Sequence, residues 1–173
     1  MITDGMGTSE TGISGMGEPA TKGGFMRLPV NETQTVIVDG RFAELGEVGY
    51  LSRTGHTPIG YYNDPDATAE IFQKIGGKVW VLSGDQARID DDGKLTVLGR
   101  GSTCINSGGE KIYPEEVEMA VKAHNDVEDC LVAATPDERF GSCVTALIEL
   151  TKNCTNQPSI DDIHNACDTH IAR

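Results

Sequence analysis

Two β-type runs, KVWVLSGDQARID and KLTVLGR, flank the acidic turn Asp90 to Gly93 within residues 78–100, and this pairing constrains the fold more than any other feature of the chain. The runs are rich in β-branched and apolar residues, and Asp92-Gly93 is a strong hairpin signal, so a long β-hairpin is expected. The stretch GRGSTCINSGGEKIYPEEVE follows at residues 99–118. Pro114 suits a first helical position, and Glu115 and Glu116 suit a first turn, where a carboxylate meets the positive end of the helix dipole. The spacing then turns Val117, Ala120 and Val121 inward, and the helix should end near His124 and Asn125. A hairpin that ends in an arginine, small residues and two glycines before a well-signalled helix marks a domain boundary at about residues 100–103.

Other elements follow from the same patterns. TQTVIVDG and GEVGYLSRTG read as strands, and DPDATAEIFQKI reads as an amphipathic helix with Ile71, Phe72 and Ile75 on one stripe. VEDCLVAAT and CVTALIEL read as two strands around the turn PDERFG. SIDDIHNACDTHIAR repeats Ile160, Ile163, Cys167 and Ile171 at helical spacing behind Ser159 as N-cap, and this helix is expected to run to the chain end without a C-cap. Residues 1–24, dense in Gly, Ser and Thr, read as loop. From residue 101 onward the order is strand or loop, helix, strand, strand, helix, which suits a small α+β unit with its helices on one face of a sheet.

Charge and cysteines narrow the function classes. A formal net charge of −13 opposes binding to phosphate backbones, which rests on Lys and Arg, so nucleic acid is not expected as a partner. The five cysteines, Cys104, Cys130, Cys143, Cys154 and Cys167, form no CxxC pair, and a reducing, cytoplasmic compartment is expected. Neither a secretory leader nor a membrane-spanning segment is read in the chain, so the sequons at Asn31 and Asn153 should stay unglycosylated. The four histidines, His56, His124, His164 and His170, form no metal-ligand pattern and are read as structural.

Three clusters could carry chemistry. In MGTSETG, residues 6–12, small residues let backbone N–H groups approach phosphate, hydroxyls can bond it, and one carboxylate could hold Mg²⁺. The cluster is not a P-loop, because Ile13 stands where that motif needs lysine; a plain Gly/Ser loop is the competing reading. SGD, Ser83 to Asp85, interrupts a β-type run with two strand-disfavouring residues, so either a β-bulge or a ligand site lies there, and an aspartate can accept from two vicinal ribose hydroxyls. Arg100 offers a planar fork of donors, and Gly108-Gly109 would let a ligand pass close to the backbone; a surface arginine and a flexible linker are the plain alternative.

Together and in this order, the clusters resemble the adenylate-forming enzymes, the superfamily of acyl-CoA synthetases, luciferases and peptide-synthetase adenylation domains. YLSRTGHTPIGYYNDPDATAEIF and VLSGDQARIDDDG resemble further segments of that superfamily, and GRGSTCINSGGEKIYPEEVE resembles its hinge and glycine-loop motif. The wording looks most like bacterial, especially actinobacterial, fatty-acyl or steroid-acyl CoA synthetases. The fold this implies is α/β and α+β: residues 1–100 as the β-rich end of the large AMP-binding domain and 101–173 as a small, incomplete C-terminal lid.

The resemblance also implies roles. Glu10 would bind Mg²⁺, Ser9 would hydrogen-bond the α-phosphate, and Met6 and Gly7 would pack on adenine, although the family more often has an aromatic ring where Met6 stands. Asp85 would hold the ribose hydroxyls, and Arg100 would bond ribose or phosphate. Ser102 takes the hinge position, where the family commonly has Asp or Lys, and Gly108, Gly109 and Lys111 would line the route of the CoA pantetheine arm. The implied reaction takes a small-molecule carboxylate, ATP and CoA to an acyl-CoA through an acyl-adenylate.

Two parts of that machinery are not in the sequence: the Ser/Thr/Gly-rich loop that grips the β- and γ-phosphates, and the lysine that acts in adenylation. Losing a charged group that acts in a transition state costs on the order of 10²-fold or more in rate. The 173 residues alone are therefore expected to be a piece of an acyl-CoA synthetase with little adenylating activity, whose partner would be the remainder of the enzyme. The alternatives are an adenylation domain that passes its acyl group to a carrier protein, disfavoured by the GGEK wording, and a non-catalytic nucleotide-binding remnant.

Overall fold

A computed structural model describes residues 5–16 and 25–168. Two compact units divide between Leu98 and Gly99. In the first, β1 (Gly5–Thr8) and β2 (Gly12–Met16) form an antiparallel hairpin. Sequence reading expected loop here. The Thr8 and Thr11 hydroxyls clasp the turn, 3.0 Å apart, and Gly12 supplies a φ of +63° that L side chains disfavour, so the small residues build a turn instead of an open loop. Residues 17–24 of that expectation lie outside the described residues.

The rest of the first unit is an antiparallel sheet built from β3 (Arg27–Pro29), β4 (Gln34–Val38), β5 (Arg41–Phe42), β6 (Val48–Arg53), β7 (Phe72–Ile75), β8 (Lys78–Ile89) and β9 (Lys94–Arg100). Its strand order is β3-β9-β8-β6-β4-β5, with β7 also paired to β8. Successive strand residues face opposite sides. Val36 therefore joins Leu28, Leu51, Ala87 and Leu95 in one apolar cluster, while its neighbour Ile37 joins Trp80 and Leu82 in another. Each fully buried Leu or Val there contributes roughly 1.5–3 kcal/mol. β1 packs on the first of these clusters through Met6, and a Cβ on Gly15 would lie 3.0 Å from Leu28.

The helix α1 is shorter than its apolar stripe predicted. It spans Pro65–Ile71, with Pro65 at its start and the Asp64 carboxylate accepting from Ala67 N at 2.9 Å. Phe72 is extended, and residues Phe72–Ile75 pair with β8 as β7. Gly76 and Gly77, with φ of +57° and +80°, close a two-residue hairpin that mirror-type turns favour, and pairing to β8 wins over continued helix.

The second unit holds a single 3₁₀ turn (Gly101–Thr103), β10 (Ile105–Ser107), β11 (Glu110–Ile112), α2 (Pro114–Lys122), β12 (Val127–Asp137), β13 (Gly141–Leu150) and α3 (Ile160–Cys167). Two antiparallel hairpins result, β10-β11 and β12-β13. Ile105, Ala120, Val121, Val127, Cys130, Val132, Ile163 and Cys167 form its core. The strand β12 extends through Pro136, opposite Ser142, so the turn is shorter than expected. Ser159 and Asp162 cap α3 reciprocally, and α3 ends at Cys167 with Asp168 N–H donating to His164 O; the expected position of Ile171 lies outside the described residues. Among the described residues, no helix is long and apolar enough to cross a membrane.

Candidate functional site

The β1–β2 turn presents Ser9 and Glu10. Thr11 N donates to Thr8 Oγ1 at 3.1 Å and Thr8 N to Thr11 Oγ1 at 3.3 Å, so two hydroxyls fix the turn from within while Ser9 stays exposed. Glu10 is half-buried, and its Oε1 accepts from the Tyr61 hydroxyl at 2.7 Å. That bond raises the tyrosine pKa, because the phenol donates to a carboxylate that a phenolate would repel.

Asp85 lies where β8 departs from its ladder. Ser52 pairs with Leu82 and Tyr50 with Gln86, so Ser83, Gly84 and Asp85 together oppose Leu51. Gly84 has a φ of +80°, which the bulge requires. Asp85 is 5% exposed, and its N–H donates to Ser83 Oγ at 3.2 Å. A carboxylate is seldom buried without a purpose that offsets its desolvation. The ladder resumes at Gln86, and Ala87 belongs to the cluster on which Met6 packs. Met6 thus packs on the cluster that holds Ala87, two residues beyond Asp85 in β8. Met6 itself is partly buried against that cluster, and Gly7 is exposed.

In the second unit, Arg100 is exposed at the end of β9, and its carbonyl accepts from Thr103 Oγ1 at 2.8 Å. Ser102 is exposed within the 3₁₀ turn. Gly108 and Gly109, with φ of +59° and +94°, form the two-residue turn between β10 and β11. A Cβ on Gly109 would meet open space, whereas one on Gly108 would lie 3.0 Å from the Phe140 ring. Lys111 is exposed opposite Asn106.

Sequence reading assigned no role to the residues that hold these positions. Tyr61 was quoted only as part of a segment, and nothing in its spacing points to Glu10, 51 residues away. Phe140 accepts at its carbonyl from Gly108 N, 3.0 Å, and carries the Arg139 guanidinium 4.9 Å above its ring. Asp137 fixes that turn by accepting from Arg139 N and Phe140 N at 2.9 and 2.7 Å. A cavity of about 370 Å³ between Thr33, Thr54, Thr57 and Lys78 contains none of the sequence-predicted site residues. Among the described residues, no cluster of three or more His, Cys, Asp or Glu could hold a metal by itself.

Comparison with known proteins gives these positions a family. No protein-family model matches the chain. Over 99% of its length, the chain is 44% identical to a 3-oxocholest-4-en-26-oate–CoA ligase from Rhodococcus rhodochrous, of which it covers 32%. It is 41% identical, again over 99% of its length and 32% of the relative, to a medium/long-chain-fatty-acid–CoA/3-oxocholest-4-en-26-oate–CoA ligase of Mycobacterium tuberculosis. Among solved structures, it is similar to o-succinylbenzoate CoA synthetase from Bacillus subtilis in complex with an acyl-adenylate intermediate, with a TM-score of 0.65 and 31% identity over 81% of this chain and 28% of that one. The chain spans about a third of the length of the curated relatives it matches. Along its whole length the chain is therefore homologous to part of actinobacterial acyl-CoA ligases, and its strand-rich α/β architecture matches that of adenylate-forming enzymes.

Proposed function

We propose that the chain supplies the nucleotide-holding face and the small lid of an ATP-dependent ligase that converts a fatty or steroid carboxylate to its CoA thioester. In this reading residues 1–100 end the large AMP-binding domain and 101–173 belong to the lid, and the protein works in the cytoplasm. The observation that carries the reading is the Ser83–Asp85 bulge, which buries a carboxylate two residues before Ala87, a member of the cluster on which Met6 packs. The 44% identity to a steroid-acid CoA ligase supports the substrate class.

The chemistry has two steps. A carboxylate oxygen of the substrate attacks the α-phosphorus of ATP, and pyrophosphate leaves with the electron pair of the broken P–O bond. The CoA thiol then attacks the acyl carbon, gives up its proton, and AMP departs. Asp85 accepts from the two ribose hydroxyls, Met6 and Gly7 lie along the adenine, and Ser9 donates to the α-phosphate. Arg100 adds charged donors toward ribose or phosphate, and Ser102 takes the backbone rotation that swings the lid.

The residues present fit a magnesium ion. Mg²⁺ usually takes one or two protein carboxylates and fills its remaining positions with substrate phosphates and water, and Glu10 supplies one such carboxylate. When bound, the ion neutralises charge on the phosphates as pyrophosphate leaves. The Gly108–Gly109 turn fits the pantetheine arm of CoA, because residue 109 without a side chain faces open space, and Lys111 provides a cation nearby.

The test is calorimetric titration of the 173-residue chain with a non-hydrolysable acyl-adenylate analogue carrying a fatty or steroid acyl group. Binding that is lost in Asp85→Asn supports the reading; equal affinity in both proteins refutes the placement of the ribose. Pyrophosphate exchange by the chain alone should be at background, and robust exchange would refute the dependence on the further phosphate loop and lysine.

A further inference from the structure

The Tyr61 hydroxyl donates to Glu10 Oε1 at 2.7 Å across 51 residues of sequence. The tyrosine is itself fixed at several points. Its backbone N–H donates to Thr68 Oγ1 at 2.9 Å, and that hydroxyl donates to Asp64 O at 2.6 Å in the first turn of α1. Its ring meets Phe72 edge-on, with centroids 5.7 Å apart and planes at 84°. Gly60 permits the approach, because a Cβ there would fall 2.6 Å from Thr68 Cγ2. The capped start of α1 therefore sets the place of one phenol oxygen, and that oxygen sets the place of one carboxylate.

Two physical arguments give this bond a purpose. A partly exposed glutamate loses rotamer freedom when it is immobilised, and a carboxylate ordered beforehand does not incur that cost when it takes a ligand. The choice of donor matters as much. A lysine or arginine donor would bring a positive charge to the carboxylate, whereas a phenol donor brings none. A carboxylate offers about four lone-pair sites, so one phenol bond and one cation are compatible on the same group.

We propose that Tyr61 is a positioning residue for Glu10, holding its carboxylate in the orientation that receives the divalent cation of a nucleoside triphosphate. The inference rests on the function proposed above, in which Glu10 is the cation's protein ligand. Tyr61 touches neither nucleotide nor cation and acts through Glu10. Outer hydrogen-bond partners of this kind are worth on the order of 10- to 100-fold in metal affinity.

The experiment uses the 173-residue chain, Mn²⁺ as a paramagnetic probe with ATP, and AMP without metal as the control ligand. Tyr61→Phe keeps the ring against Phe72 and removes only the donor, and Glu10→Gln removes the charge. Depletion of the free Mn²⁺ signal reports Mn·ATP binding. Tyr61→Phe should weaken Mn·ATP about 10-fold and leave AMP affinity and the thermal midpoint unchanged. Glu10→Gln should weaken Mn·ATP at least as much. Equal Mn·ATP affinity in wild type and Tyr61→Phe, with a loss in Glu10→Gln, overturns the inference and spares the proposed function. A parallel loss of AMP and Mn·ATP affinity in Tyr61→Phe means that the bond only staples the hairpin in place, and overturns it as well. No effect of Glu10→Gln, or no Mn·ATP binding by wild type, overturns the role of Glu10 and the inference built on it.

Discussion

A side chain at position 99 would collide with the carboxyl group of Glu115, which fills the space where a Cβ on Gly99 would stand. Gly99 also has a φ of +124°, in the region that L residues disfavour. Gly99→Ala should therefore destabilise the second unit by about 1–3 kcal/mol. Urea denaturation followed by circular dichroism measures this, and adding Glu115→Ala should recover the steric part while leaving the backbone strain.

Asp85 is expected to act on nucleotide far more than on folding, because the bulge that presents it depends on Gly84 and on the ladder to β6. Asp85→Asn keeps the size and removes the charge. Hydrogen bonds to charged groups are worth about 1.5–3 kcal/mol, so AMP affinity should fall about 10- to 100-fold while the denaturation midpoint changes little. A large loss of stability with unchanged AMP affinity would make Asp85 a structural residue.

Acid should weaken the first unit through the carboxylates that bridge β3 to the β8–β9 turn. Arg27 donates to Asp90 and Asp92 at 3.0 and 2.7 Å, and Arg88 donates to Asp90 at 3.0 Å. Burial pushes the Asp90 carboxyl up, yet the bonds from Thr96, Arg88 and Arg27 outweigh it and hold the group below its ordinary 3.8. A depressed folded value means that the contribution is complete above the ordinary value and is lost as pH falls below it. Asp90→Asn should flatten the decline in denaturation midpoint below about pH 4. Arg41, by donating to its carboxylate, holds Glu47 at about 2, but that pair is exposed and adds little.

Thiol reactivity should follow burial. Burial, with the charge of Glu118 beside it, pushes the Cys130 thiol up to about 11, and burial also raises Cys167. Cys143 is exposed. Brief alkylation at pH 8 should label Cys143 first and leave Cys130 and Cys167 as protected thiols until denaturant is added, as read by mass spectrometry of peptides.

Much of this architecture could be read from local signals. Asp92-Gly93, Pro114 with its two following glutamates, and Ser159 with Asp162 each carry their own stereochemistry, and each formed the expected element. The errors arose where a distant segment decided the outcome. Phe72 and Ile75 lie on a helical stripe, but β8 offers them a ladder that the stripe does not reveal. The β1–β2 hairpin depends on two threonine hydroxyls meeting and on Met6 packing against the apolar cluster of the sheet, neither of which is visible in a run of small residues. The candidate site divides in the same way. Glu10, Asp85, Arg100 and the double glycine are conspicuous as unusual residues in their surroundings, whereas Tyr61 and Phe140 matter only through contacts across the chain.

The bulge at Ser83–Asp85 also fixes which length changes the strand can tolerate. Three residues face one, so β8 carries a surplus of two over an unbroken ladder. Because strand faces alternate every residue, an even surplus preserves parity: Trp80 and Leu82 before it and Ala87 after it keep the faces that their alternation assigns. Removing one residue from this segment would leave two residues facing Leu51, an ordinary one-residue bulge that bends the strand locally. Removing two would restore a continuous ladder and an intact core, and would erase the buried carboxylate. Under the function proposed above, a two-residue deletion here should therefore abolish nucleotide binding while leaving β8 paired with β6 on both sides.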